Sequence, residues 1–158
     1  MSGQFAESKQ GSRPVGRPME VLLVEDSLVD ARLTMAALQR GQIPHHLTLV
    51  RDGREALDFL FHRGLFARVP RPDLILLDLH LPFHNGLEVL WEIRNSDELR
   101  PVPVVVLTSS DDPEDKTQCA AHEVDGFLKK PVQFNEFLDL VRQLRRHWKQ
   151  DVLLPNLD

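Results

Sequence analysis

Four of the five short strand-like runs in this 158-residue chain lead into residues that could do chemistry at one site. Val21–Val24 leads into Glu25 and Asp26, Leu74–Leu77 into Asp78, Val102–Leu107 into Thr108, and Gly126–Leu128 into Lys129 and Lys130, just before Pro131. If these ends converge, three carboxylates, a hydroxyl and an ammonium share one small site. Carboxylates about 4 Å apart repel by roughly 1–4 kcal/mol per pair at solvent-like to surface-like dielectric, so something cationic must offset them. Lys130, a divalent metal, or both would serve. An all-oxygen donor set without Cys or a converging His suits Mg²⁺, which keeps several waters and takes one or two carboxylates. Metal, ammonium and hydroxyl then form a seat for a phosphoryl group, and an ionised aspartate attacks it without needing a general base.

The elements that must position these groups can be read from the same sequence. Between the apolar runs lie helical stretches. Leu28–Arg40 opens on Ser27 and Asp30, a capping-box spacing, and stops at Gly41. Asp52–Phe61 opens on Asp52 and Glu55 in the same relation, which makes Asp52 a cap and not a site residue. Leu87–Asn95 follows, then Asp112–His122 with Asp112 as N-cap and Pro113 in the first turn. The last helix, Gln133–Lys149, carries a broad apolar face. Five strands alternating with five helices predict an α/β fold with a parallel sheet covered on both faces. The uniformly apolar runs Val21–Val24, Leu74–Leu77 and Val104–Leu107 are central, and His46–Val50, which alternates with Thr48, and the short Gly126–Leu128 are edges. That is the flavodoxin-like, doubly wound (βα)5 order 2-1-3-4-5, whose ligands sit at the carboxyl ends of the strands where the order reverses.

Composition narrows the function classes. Lys and Arg number 19 against 24 Asp and Glu, a net charge of −5, so no basic footprint for DNA is present. No apolar run approaches the roughly 20 residues of a membrane span. A single cysteine, Cys119, excludes an intrachain disulfide and fits the cytoplasm. Residues 1–18 are poor in large apolar side chains and read as a disordered leader, residues 19–149 as one domain, and 150–158 as a tail. That tail leaves no room for an output domain. Its Val152-Leu153-Leu154-Pro155 run wants a surface, on its own domain or on a second subunit.

The runs Val21 to Asp26, Leu74-Ile75-Leu76-Leu77-Asp78-Leu79-His80-Leu81-Pro82, Val105 to Ser110 and Gly126-Phe127-Leu128-Lys129-Lys130-Pro131 resemble, in order and at matching strand ends, the receiver domain of two-component response regulators. The resemblance spans about residues 19–149. It implies Asp78 as phosphoacceptor, with Asp26 a direct Mg²⁺ ligand and Glu25 acting through water. The backbone carbonyl of His80 would be a further ligand, Thr108 the switch hydroxyl, and Lys130 the phosphate-binding lysine, with Lys129 solvated. A cis Lys130–Pro131 bond is also a family trait. Phe127 stands where the family more often has a tyrosine, so an inward switch would rest on burial of the ring alone. His80 and Ser110 occupy positions that tune acyl-phosphate lifetime in the family. The segment Arg63–Pro72, the Asp78–Pro82 run and the tail further resemble stand-alone regulators that serve cyanobacterial and bacterial phytochromes.

The expectation is therefore a cytoplasmic phosphoacceptor, not a turnover enzyme. A sensor histidine kinase, of phytochrome type on the narrower resemblance, phosphorylates it with Mg²⁺. It signals to a downstream protein through the face of the fourth helix, fifth strand and fifth helix, or forms a homodimer through that face or the tail. DNA and membrane are not partners. Two rival readings stand beside it: a Mg²⁺-dependent aspartyl-phosphate hydrolase, which would want an acid where His80 stands, and a docking module that needs no phosphorylation. His80 and His84 have the spacing of zinc ligands but sit in a Pro- and Gly-containing loop. Arg142, Arg145, Arg146 and Lys149 form a basic stripe read as a solvated helix face.

Overall fold

The computed structural model describes residues 16–109, 113–148 and 152–154. Its strands are β1 (Met19–Val24), β2 (His45–Val50), β3 (Leu74–Asp78), β4 (Val104–Thr108) and β5 (Gly126–Lys129). Its helices are α1 (Leu28–Arg40), α2 (Gly53–Leu60), α3 (Gly86–Arg94), α4 (Pro113–Ala120) and α5 (Phe134–Leu144). All four strand pairings are parallel and the order is β2-β1-β3-β4-β5, the expected flavodoxin-like sheet.

The two-residue side-chain period of a strand explains the layering. Val21, Leu23, Leu74, Leu76, Val105 and Leu107 face one side and pack under α1 and α5. Leu22, Val24, Ile75, Leu77, Val104 and Val106 face the other, beneath α2, α3 and Cys119 of α4. β3 and β4 are buried at every position, as strands covered on both faces must be. β2 and β5 carry part-exposed residues and close the edges.

Local chemistry sets the helix ends. Ser27 Oγ accepts the Asp30 amide at 3.2 Å and Asp52 Oδ1 accepts that of Glu55 at 2.7 Å, so both caps form. Neither is reciprocal. Glu55 instead accepts the Arg51 amide at 2.7 Å, and Asp30 turns to Lys130. The full capping box belongs to Asn85 and Glu88, which start α3 one residue earlier than the apolar pattern predicts. The proposed cap Asp112 lies outside the described residues.

One expectation about the chain ends is corrected. The last α-helix stops at Leu144 and tightens into a 3-10 turn, Arg145–His147. Trp148 follows it, buried, donating its indole N–H to the Asp73 carbonyl at 2.8 Å. Residues 1–15 of the expected leader lie outside the described residues; near its end Arg17 grips Asp73 with two bonds, 2.7 and 2.8 Å. It also forms an isolated parallel bridge with Val152, which is buried on its own domain. The described part of the tail thus takes the intramolecular course; Pro155 and Lys149 lie outside the described residues.

Candidate functional site

The parallel sheet sends every strand's carboxyl end to one rim, and β1, β3 and β4 bring Glu25, Asp26, Asp78 and Thr108 there together. Carboxylate oxygens of Glu25, Asp26 and Asp78 all lie within 4.8 Å of one another. Glu25, Asp78 and Thr108 are buried, whereas Asp26 is open to solvent. From β5 the Lys130 side chain reaches across, its Nζ 3.0 Å from Asp78 Oδ2, 3.0 Å from Glu25 Oε1 and 3.1 Å from Asp30 Oδ2. The Lys130 amide donates to the Thr108 carbonyl at 2.7 Å, which ties the lysine's backbone to the end of β4. The peptide bond between Lys130 and Pro131 is cis. Lys129 is exposed, along a different wall of β5.

The second oxygens of Asp78 and Glu25 are also engaged. Asp78 Oδ1 accepts the His80 amide at 2.9 Å, and Glu25 Oε2 accepts the Ser27 amide at 3.2 Å. Arg51 bonds the Asp26 carbonyl through Nη2 at 2.7 Å, leaving the Asp26 carboxylate on the open side. The loop from β3 to α3 can lie this close to the rim because two glycines leave space. A Cβ on Gly86 would stand 2.4 Å from Leu79 Cα, and one on Gly53 would stand 1.8 Å from the His84 carbonyl oxygen.

Charge at the rim does not balance. Four carboxylates, counting Asp30, share the rim with one ammonium, which contacts three of them. Burial, and next to it the charge of Asp78, pushes the Glu25 carboxyl up to about 7 against the opposing hydrogen bond from Lys130. Burial works to lower Lys130, but hydrogen bonds to Asp78, Glu25 and Asp30 outweigh it and hold the ammonium above the usual lysine range. An open, oxygen-only pocket with uncompensated negative charge fits a divalent cation.

Thr108 and Phe127 line one cavity of about 480 Å³ between α4, β5 and α5, with Lys116, Lys129, Glu136 and Asp139 on its other walls. Phe127 is partly buried and has the Lys116 ammonium 5.7 Å from its ring centre. Among the described residues His80 and His84 join no metal-capable cluster: His80 Nε2 faces Asp115 at 3.4 Å, His84 Nδ1 faces Glu88 at 3.8 Å, and the cluster found there is purely carboxylate. Arg142 pairs with Asp139 on the solvent face of α5, while Arg145 and Arg146 belong to the 3-10 turn. Ser110 lies outside the described residues. Sequence reasoning missed Asp30 and Arg51. The signal for Asp30 was available, since the first turn of a helix that follows β1 stands at the same rim as Glu25.

A doubly wound sheet with this acid rim, a strand-end hydroxyl and a lysine before proline defines a class. The profile described as response regulator receiver domain matches residues 21–142, and the chain belongs to that family, the receiver of two-component phosphorelay signalling. Among individual proteins it is similar to response regulator Rcp1 from Synechocystis sp., 40% identical over 138 residues that cover 87% of this chain and 94% of Rcp1. The fold is also similar to a solved structure of Rcp1 in its Mn²⁺-bound form (TM-score 0.69, 40% identity, 88% of this chain and 100% of that one). A further solved likeness is the phosphorylated cyanobacterial phytochrome response regulator RcpA (TM-score 0.70, 37% identity, 88% and 99%). Among the described residues, no helix is long and apolar enough to cross a membrane.

Proposed function

We propose that this chain is a cytoplasmic, stand-alone response regulator whose Asp78 accepts a phosphoryl group from a sensor histidine kinase of the phytochrome type. The observation that carries the reading is the reach of Lys130 from the edge strand β5 across to Asp78 and Glu25. No purely structural need puts a buried ammonium among carboxylates that outnumber it.

In this reading the ionised Asp78 carboxylate attacks phosphorus. A P–O bond forms, the P–N bond of the donor phosphohistidine breaks, and its electron pair returns to the imidazole nitrogen, which takes up a proton from solvent. The His80 amide and Lys130 hold the two oxygens of Asp78 and so fix the carboxylate plane before attack. Asp26 and Asp78 would hold Mg²⁺, with Glu25 through water and the His80 carbonyl as a further ligand. When bound, the ion neutralises phosphoryl oxygens as they approach the acid rim. Lys130 supplies a second positive charge to those oxygens, and Thr108 donates its hydroxyl. Thr108 and Phe127 share a cavity, so a movement of the hydroxyl toward the phosphoryl group opens room for the ring. The change then reads out on the α4–β5–α5 face, to a protein partner or a second copy.

Incubation with acetyl phosphate and Mg²⁺ tests the assignment through the intact mass. The wild-type chain is expected to gain one phosphoryl group and Asp78→Asn none. Equal labelling of the variant would overturn it, and steady turnover of unrelated phosphate esters would favour a hydrolase.

A further inference from the structure

Asp30 was expected only to cap α1. Its amide does so, but its carboxylate bonds a lysine 100 residues away in sequence. An ammonium has three N–H donors. Those of Lys130 meet three carboxylates, on Asp78, Glu25 and Asp30, all at 3.0–3.1 Å. If Lys130 is to bond an approaching phosphoryl oxygen while Asp78 still carries its charge, one of these must let go. The three differ in what release would cost. Glu25 has a side-chain exposure of 0% and Asp78 of 6%, so water cannot readily replace the lysine at either. Asp30 is 36% exposed, and its place in the first turn of α1 favours a free carboxylate there.

We propose that Asp30 is a positioning residue, which occupies the third donor of Lys130 in the unphosphorylated chain and yields it to the incoming phosphoryl group. The proposal rests on the phosphoacceptor reading of Asp78 and adds a competitor to it. Asp30 keeps the ammonium extended across the rim, aimed at Asp78, and at the same time holds back phosphorylation by competing for it.

Two measurements test this. In a crystal structure of the full chain with Mg²⁺ and beryllofluoride, Lys130 Nζ is expected to contact a fluorine and stay bonded to Glu25, with Asp30 beyond hydrogen-bond distance. Retention of the Asp30 bond, or release of Glu25 in its place, overturns the proposal. In solution, Asp30→Asn is expected to take label from acetyl phosphate roughly three- to tenfold faster at saturating Mg²⁺, the value of one partly exposed charge-assisted bond. Glu55→Gln, which removes a negative charge from the start of α2 without touching Lys130, is expected to leave the rate unchanged. A rate for Asp30→Asn that is unaltered or slower, or an equal gain in Glu55→Gln, overturns the proposal. Absence of label on the wild-type chain would bring down the phosphoacceptor reading beneath it, a failure distinct from the others.

Discussion

The two ends of the sheet each hold a buried cation, and they treat it in opposite ways. At the amino end, Arg94 at the close of α3 meets as many acceptors as it has donors. Its Nε bonds the His122 carbonyl at 2.9 Å, Nη1 the carbonyls of Arg100 and Val102 at 3.0 and 3.3 Å, and Nη2 the Glu123 carbonyl and Asp125 at 2.9 and 3.0 Å. Asp125 in turn accepts the Val104 amide at 2.8 Å, at the start of β4. One guanidinium faces one carboxylate, every N–H is used, and the cluster clasps α3, the turn before β5 and β4. At the carboxyl end, one ammonium faces three carboxylates and a fourth, Asp26, stands open beside them. A neutral, saturated cluster needs nothing more. An acidic, unsaturated one is held in place by the fold in readiness for further positive charge.

This contrast yields graded expectations. The largest concerns Lys130→Ala, which should lower the affinity for beryllofluoride with Mg²⁺ by about 10² to 10³, the usual value of one preorganised donor to transferring oxygens. Calorimetric titration measures it; an unchanged affinity would assign the lysine to structure alone. Next, Arg94→Ala should cost about 2 kcal/mol of stability, the penalty for a part-buried carboxylate and several main-chain carbonyls stripped of their donor, as read by urea unfolding. Labelling of Asp78 in the folded fraction should persist, because the clasp lies at the far end of the sheet. A loss of labelling there, in protein that remains folded, would break the division between the two ends.

A smaller effect concerns pH. Glu25 titrates at about 7 in the fold against an ordinary 4.5, so between those values the folded state binds more protons than the unfolded one. Without metal, its contribution is fully present below the unfolded value and is lost as pH rises toward 7. Glu25→Gln should remove that part of the slope in unfolding curves recorded across the window. Parallel slopes for the two proteins would show that Glu25 does not bear the strain of the acid rim.

Much of the site was legible because the sheet does the gathering. Apolar runs fixed where strands end, and parallel order sends all those ends to one rim, so Glu25, Asp26, Asp78, Thr108 and Lys130 could be grouped without coordinates. Asp30 escaped because a local explanation was already sufficient: the Ser27–Asp30 spacing is a good cap, and half of that cap forms. Its other partner lies across the fold, where helix spacing carries no information. Arg94 escaped for a related reason. Its acceptors are mostly main-chain carbonyls of distant turns, which no residue type announces. The end of the last helix was misjudged because its apolar period continues to Trp148. The indole turns in to reach the Asp73 carbonyl, and the tighter 3-10 winding of Arg145–His147 brings it there. The Asn85–Glu88 box was fully readable and lost only to a helix start set by apolar spacing.

The acid rim is short of positive charge in the way a divalent ion would make good. Thermal unfolding of the wild-type chain and of Asp26→Asn, each titrated with Mg²⁺ at fixed ionic strength, tests it most directly. The wild-type midpoint is expected to climb with Mg²⁺ as binding to the folded state requires, while that of Asp26→Asn stays flat. A wild-type midpoint indifferent to Mg²⁺, or an equal climb in both proteins, would contradict it.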